Sequence, residues 1–337
     1  MLKKILKIAA VILVAAAVIT AAVLLGIKAK EKKANADYRT QIGNMQIFSN
    51  TLDEEMPQTV IHKLVIDHLN SPLPEGKTKK KVIFLGYDGF RSDGLENVKD
   101  NDESAIMYIK SKGGLYHTFS GGVAGVNEQA TSTAPSWMAM LTGGWAAYNG
   151  VDNNSQMKNE NAETFITYAL NKGYSASFTT SWREHTELSY RPDIVNSIIK
   201  NQPVEYSHQI DDTATYYQIL KYVSKSEGVE KTPIEDPDVI FFTLEFTDHE
   251  GHNAKFGNQN ENYKKACVDA DSYGYSIIKT IEERATYNEE DWLIIIATDH
   301  GGTEYGHGGQ TNYERMTWLA CNKQIDITED YLKYEVK

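Results

Sequence analysis

The sequence predicts a three-layer α/β/α sandwich on a mostly parallel central sheet, preceded by one N-terminal transmembrane helix. Three observations predict it. From Lys81 onward, strand-like apolar runs alternate with segments of helical period, the pattern of a parallel sheet covered by helices on both faces. Runs such as Leu293-Ile294-Ile295-Ile296-Ala297 are continuously apolar, as strands buried on both faces must be. Ahead of them, the stretch Ile8 to Ile27 is apolar except for Thr20 and Gly26, long enough to span a bilayer.

Residues 1–36 are the anchor or signal segment. Lys3, Lys4 and Lys7 precede the apolar run, and Ala34-Asn35-Ala36 has the small-residue pattern of a cleavage site, so secretion after cleavage is the alternative. The run is long for a signal core, which favours an anchor. Lys28, Lys30, Lys32 and Lys33 follow it and nearly balance the lysines before it. Orientation therefore rests on the export-like character of the segment, which places the remainder outside the cytoplasm at the cell membrane.

Residues 37–79 read as a polar spacer with a short amphipathic helix, Val60 to Leu69, closed by Asn70-Ser71-Pro72-Leu73-Pro74-Glu75-Gly76. His62 and His68 lie there without a partner at metal-ligand spacing and read as surface or packing residues. Residues 80–337 read as one domain. Its apolar segments are Val82–Tyr87, Trp137–Leu141, Thr164–Asn171, Ser175–Thr180, Thr213–Val223, Val239–Phe246, Tyr263–Glu283 and Leu293–Thr298.

The first 36 residues hold seven lysines and one glutamate, which leaves 27 basic and 45 acidic groups, a formal charge of −18, for the rest. That balance disfavours binding to a nucleic-acid polymer. Cys267 and Cys321 are too few for a disulfide framework, and Cys267 shares a helical face with Tyr263, Ala270 and Ile277. Both read as buried free thiols, with a disulfide between them as the minority reading.

In open α/β sheets the ligand site gathers at the carboxyl ends of the strands. Three apolar runs lead there to an acid: Asp88, Asp248 and Asp299. A lone Asp88-Gly89 is an ordinary turn. The set is harder to dismiss, because histidines accompany it in Asp248-His249-Glu250-Gly251-His252, in Asp299-His300-Gly301-Gly302 and in Gly306-His307-Gly308-Gly309. Carboxylate and neutral imidazole both ligate Zn²⁺, and several of each can hold two ions side by side. Two such ions clamp the attacking and leaving oxygens of a displacement at phosphorus.

A hydroxyl nucleophile is available in Ala130-Thr131-Ser132-Thr133-Ala134-Pro135-Ser136, just before a short helix with Trp137, Met140 and Leu141 on one face. A hydroxyl there meets unpaired N–H groups and the positive end of the helix dipole. From the residues alone Thr131, Ser132 and Ser136 are nearly as plausible as Thr133, and a plain N-cap role is commonplace.

The acidic strand ends, the Thr133-Ala134-Pro135 turn, and the Asp248 to His252 and Asp299-His300-Gly301 segments resemble, in order and spacing, the type I phosphodiesterase/nucleotide pyrophosphatase family of the alkaline phosphatase superfamily. The resemblance runs from about Lys80 to Arg315. It implies phosphodiester hydrolysis through a covalent phosphothreonine on Thr133, with two zinc ions as cofactors. It implies one zinc on Asp88, Asp299, His300 and the Thr133 oxygen, and a second on Asp248, His252 and His307. It also implies that Asn154 binds a non-bridging phosphoryl oxygen. Mn²⁺ suits the same ligand types.

Two departures stand out. Asn149 occupies the place of a usual histidine, and only a short segment separates His300 from His307 where larger members carry a cap. The second makes His307 the least secure ligand and removes surface that would select a nucleotide. His249 and Glu250 read as a solvated loop, His117, His185 and His208 have no motif, and Arg183 reads either as a phosphate contact or as a surface ion pair.

The expected partner is a small-molecule or lipid-linked phosphate ester. Phosphomonoester hydrolysis, or phosphoryl or glycerophosphoryl transfer to an alcohol, is the alternative on the same site. A sulfatase needs Cys or Ser followed by x-Pro-x-Arg, against Thr133, Pro135 and Trp137 here. From another class, the rival is a non-catalytic, membrane-tethered binding protein on the same scaffold.

Overall fold

The computed structural model of the protein describes residues 2–224, 231–304 and 306–334. The chain divides into two units, Met1–Asn44 and Met45–Lys337. The first is one helix, Leu2–Gly43. Its portion Leu13–Gly43 is long and apolar enough to cross a membrane.

The second unit is built on eight strands among the described residues: β1 Met56–Pro57, β2 Lys79–Tyr87, β3 Gly114–Phe119, β4 Ala176–Thr180, β5 Val204–His208, β6 Val239–Leu244, β7 Glu290–Thr298 and β8 Met316–Cys321. They form one sheet in the order β1-β3-β8-β7-β2-β6-β4-β5. Pairing is parallel except where β8 runs antiparallel to both β3 and β7. The expected mostly parallel sheet is thus present, with β2 central between β7 and β6, in register Phe84↔Ile295 and Phe84↔Phe241.

The central strands are apolar throughout because each face has its own core. Val82, Phe84, Leu293, Ile295 and Ala297 pack with the helices Val60–Asn70, Thr133–Thr142 and Phe165–Asn171. Ile83, Leu85, Tyr87, Ile294 and Ile296 pack on the other face with the helices Ala105–Lys112, Asp212–Val223 and Glu261–Glu282. Period-2 alternation sends neighbouring residues to opposite layers.

The segment read as a spacer is partly built into this unit. β1 adds to the sheet edge beside β3, and Val60, Ile61, Leu64, Val65 and Leu69 join the core that holds Trp137 and Leu141. An amphipathic helix needs an apolar surface to cover, and the sheet provides it. His68 is buried there and hydrogen-bonds the carbonyls of Lys81 and Asp291. The sequence did not announce β1, β3, β5 or β8, because they are short or interrupted by polar residues. The buried hydroxyls of Thr118 on β3 and Thr317 on β8, for example, satisfy each other at 2.8 Å. Cys267 and Cys321 are buried free thiols.

Candidate metal and nucleophile centre

Asp88 and Asp299 follow directly on β2 and β7, which are sheet neighbours, so parallel pairing puts their side chains together without any long loop. Asp248 differs from expectation. β6 ends at Leu244, short of Phe246, and Asp248 lies in the first turn of the helix Phe246–Asn253. Asp248 and His252 therefore share one helix face, four residues apart. Gly89 admits the close approach: its φ is +65°, and a Cβ there would lie 2.9 Å from the Asp248 side chain. His300 follows Asp299, and His307 arrives on a glycine-flanked loop.

All six predicted metal-site carboxylates and imidazoles converge. His300 Nε2 lies 3.4 Å from Asp88 Oδ1, 3.3 Å from Asp299 Oδ2 and 3.5 Å from Thr133 Oγ1. His252 Nε2 lies 3.0 Å from His307 Nε2 and 3.4 Å from Asp248 Oδ2, and His307 Nε2 is 3.5 Å from Asp248 Oδ1. Among the described residues, two groups of donors have the spacing to hold an ion, Asp248/His252/His307 and Asp88/Asp248/His300, so Asp248 belongs to both.

Local bonds set which atoms point inward. The Nδ1 of His300 bonds the Gly301 carbonyl at 2.7 Å, and that of His307 bonds the Thr131 carbonyl at 3.2 Å. A carbonyl can only accept, so each Nδ1 carries the proton and each Nε2 presents a lone pair to the cluster. Trp137 Nε1 donates to Asp88 Oδ2 at 2.9 Å, and Gly89 N–H donates to Asp299 Oδ1 at 3.0 Å. The indole reaches Asp88 because β2 carries Gly86, where a Cβ would stand 2.5 Å from its ring.

The opposite carboxylate oxygens, Asp88 Oδ1, Asp248 Oδ1 and Asp299 Oδ2, are buried without a hydrogen-bond partner. Burial, then the neighbouring carboxylates of Asp299, Glu245 and Asp248, push the Asp88 carboxyl well above its ordinary range. Burial likewise raises Asp299 and Asp248. Burial holds the His300 and His307 imidazoles below their usual value, in the neutral form that ligates metals. Buried anions repel one another unless a cation joins them. Aimed lone pairs and orphaned carboxylate oxygens fit a pair of transition-metal ions.

Thr133 opens the helix Thr133–Thr142 after the N-cap Ser132 and is 5% exposed. Asn154 sits beside it: its Oδ1 accepts the Ala134 N–H at 3.0 Å, which makes its NH₂ the end free to meet an anion. Asn149 holds that turn, with its amide donating to the Gly144 carbonyl at 2.8 Å and accepting the Val151 N–H at 2.8 Å. Of the alternative hydroxyls, Ser136 bonds Ser120 at 3.0 Å and Thr131 bonds the Gly309 carbonyl at 2.7 Å, while Ser132 is the N-cap.

His249 and Glu250 are outside both donor groups. His117 stacks on Phe48 and His185 is buried among aromatic rings, while His208 ends the edge strand β5. Arg183 pairs with Glu187 on the surface at 2.6 Å. Sequence reasoning passed over Glu245, whose buried Oε1 faces the same acidic environment, and gave Trp137 only a packing role. The signal for Glu245 is a carboxylate closing an otherwise apolar run, and for Trp137 its alignment with Gly86.

Fold and cluster together define an α/β protein with a largely buried, metal-type donor set beside a helix-terminal hydroxyl. The chain belongs to the type I phosphodiesterase/nucleotide pyrophosphatase family, whose model matches residues 82–329. No curated protein matches it. Among solved structures, it is similar to a putative sulfatase from Bacteroides thetaiotaomicron VPI-5482, with 12% identity, 76% of this chain and 69% of that one covered, and a TM-score of 0.53. It is also similar to murine ectonucleotide pyrophosphatase/phosphodiesterase 5, solved as an inactive threonine-to-alanine variant with AMP, at 18% identity and TM-score 0.46. There 67% of this chain is covered, and the chain spans only 58% of the murine one. At such identities the likeness is one of fold.

Proposed function

We propose that the protein is a membrane-anchored phosphodiesterase that acts through Thr133 at a two-metal site. Family membership supports the reaction class. The observation that carries the reading is the convergence of orphaned carboxylate oxygens and aimed imidazole nitrogens in one cluster, with His300 Nε2 3.5 Å from the Thr133 hydroxyl. Asp88, Asp299, His300 and the Thr133 oxygen would hold one zinc, and Asp248, His252 and His307 the other. Mn²⁺ suits the same donors. When bound, such a pair supplies positive charge to the attacking and leaving oxygens of an in-line displacement.

The chain does the rest. Thr133 Oγ1 loses its proton and bonds to phosphorus as the bond to the leaving oxygen breaks, that oxygen takes up a proton and departs as an alcohol, and a phosphothreonine that keeps the second ester group remains. Water then cleaves the phosphorus–oxygen bond, returning the hydroxyl and releasing a phosphate monoester. The NH₂ of Asn154 and the positive end of the Thr133–Thr142 helix dipole stabilise the non-bridging oxygens. The short His300–His307 connection leaves the site without a cap, in keeping with a small or lipid-linked ester. The N-terminal helix anchors this domain to the cell membrane, on the extracytoplasmic side.

The test is hydrolysis of bis-p-nitrophenyl phosphate and p-nitrophenyl phosphate by residues 37–337, with metal analysis. Diester cleavage with about two zinc ions per chain is expected. Turnover of the monoester alone would make it a phosphomonoesterase. Turnover only with an added alcohol acceptor would make it a transferase, and a folded, metal-loaded protein with no turnover would overturn the enzyme reading.

A further inference from the structure

We propose that Thr131 is a positioning residue that fixes the His307 end of the metal cluster relative to the nucleophile; the inference rests on the two-metal reading above. His307 follows a short backbone pair, in which the Thr303 N–H donates to the Gly306 carbonyl at 2.6 Å and the Gly306 N–H to the Thr303 carbonyl at 3.3 Å, and it is flanked by Gly306 and Gly308 at φ +130° and +110°. Past that pair, three hydrogen bonds to His307 and the two residues after it come from Thr131. The Thr131 carbonyl accepts the His307 Nδ1–H at 3.2 Å. The Thr131 hydroxyl donates to the Gly309 carbonyl at 2.7 Å and accepts the Gly308 N–H at 3.1 Å, so both of its hydrogen-bonding roles are used on the residues just after His307.

Thr131 is fully buried and precedes Thr133 by two residues, with only the N-cap Ser132 between them. Gln310 adds a bond to the Gln129 carbonyl at 2.7 Å, and Glu314 accepts the Gly309 N–H at 2.7 Å from the far side. The loop that aims one imidazole is therefore pinned to the segment that delivers the hydroxyl. A shift in either is transmitted to the other through the Thr131 side chain. This also explains how a histidine so soon after Asp299-His300 reaches the cluster without an intervening cap: the connection is held sideways, by the nucleophile strap.

Partners that orient a ligating histidine are worth about 10- to 100-fold in metal affinity. The experiment titrates the full-length chain, purified in detergent, with Zn²⁺ against a chelating competitor, beside Thr131→Val, Thr131→Ala and Thr131→Ser. Wild type is expected to bind two ions. Thr131→Val keeps the volume and loses both hydroxyl bonds, so one of the two affinities should fall by about 10- to 100-fold while the other holds. Thr131→Ser keeps the hydroxyl and should restore wild-type binding. If Thr131→Val does not fold, Thr131→Ala against Thr131→Ser carries the same contrast. Wild-type binding of fewer than two ions would sink the two-metal reading itself. Two ions in wild type with unchanged affinities in Thr131→Val, or equal losses in Thr131→Ala and Thr131→Ser, would overturn the role of Thr131 alone.

Discussion

The two ends of the central strands bury comparable numbers of carboxylates and treat them in opposite ways. At the amino end, each has a basic partner. Asp291 on β7 meets Lys80 and Lys323 at 2.6 Å each, Lys81 meets Asp236 at 2.9 Å, and Arg284 forks onto Glu290 at 2.7 and 2.9 Å. At the carboxyl end, among the described residues, the ion pairs of Asp88, Asp248 and Asp299 run only to histidine. The acidities follow. Burial pushes the Asp291 carboxyl up, but the bonds from Lys323 and Lys80 outweigh it and hold it below its ordinary value. Burial raises Asp88 and Asp299, and the hydrogen bonds from Trp137 and the Gly89 N–H do not outweigh it. One end pairs its acids with lysine and arginine; the other leaves them among imidazoles, in the arrangement of a candidate metal site.

The sharpest way to break this contrast is at the reacting atom. Thr133→Ala should lower kcat by more than about a thousandfold while two metals stay bound, since it removes the nucleophile and leaves the carboxylates in place. Turnover of bis-p-nitrophenyl phosphate with parallel metal analysis checks it. Asp248→Asn removes a carboxylate of the proposed Asp248/His252/His307 ion, so metal affinity should fall about a hundredfold or more at that position, with a smaller loss at the neighbouring one that its spacing also reaches, read by chelator competition.

At the amino end the losses should appear in stability and not in chemistry. Lys81→Met leaves Asp236 and Asp238 short of a buried partner and should cost about 3 kcal/mol in urea unfolding, with kcat per folded molecule unchanged. The smallest effect concerns acid. Asp291 and Glu290 titrate below their ordinary values of 3.8 and 4.5 when folded, so the unfolded chain binds their protons first. Their contribution is present above those values and is lost as pH falls through them. Unfolding midpoints between pH 6 and 3 should drop toward acid, and Asp291→Asn should flatten that slope.

Much of the fold was legible because buried parallel strands must be apolar on both faces: β2, β6 and β7 announce themselves as uninterrupted runs. β3, β5 and β8 did not, because an edge position or a paired hydroxyl such as Thr118 with Thr317 tolerates polar residues that break the run. The site was legible as residue types at strand ends, and Asp88, Asp299 and His300 lie where that logic puts them. The boundary error at β6 has the same origin as its success: Phe246 and Thr247 extend the apolar pattern although the chain has already turned into a helix.

Composition and order along the chain determined the sheet's central strands, the membrane-length helix and the inventory of acids, imidazoles and hydroxyls, because burial and bilayer length impose periodicities that a linear sequence displays. Tertiary structure alone decided which carboxylate lies within reach of both donor groups, which imidazole nitrogen faces inward and that Thr131 ties the His307 loop to the segment leading into Thr133. Except for the His300 bond to its neighbour Gly301, those relations join residues more than a hundred positions apart, and the hydrogen bonds that fix them leave no periodic trace in the sequence.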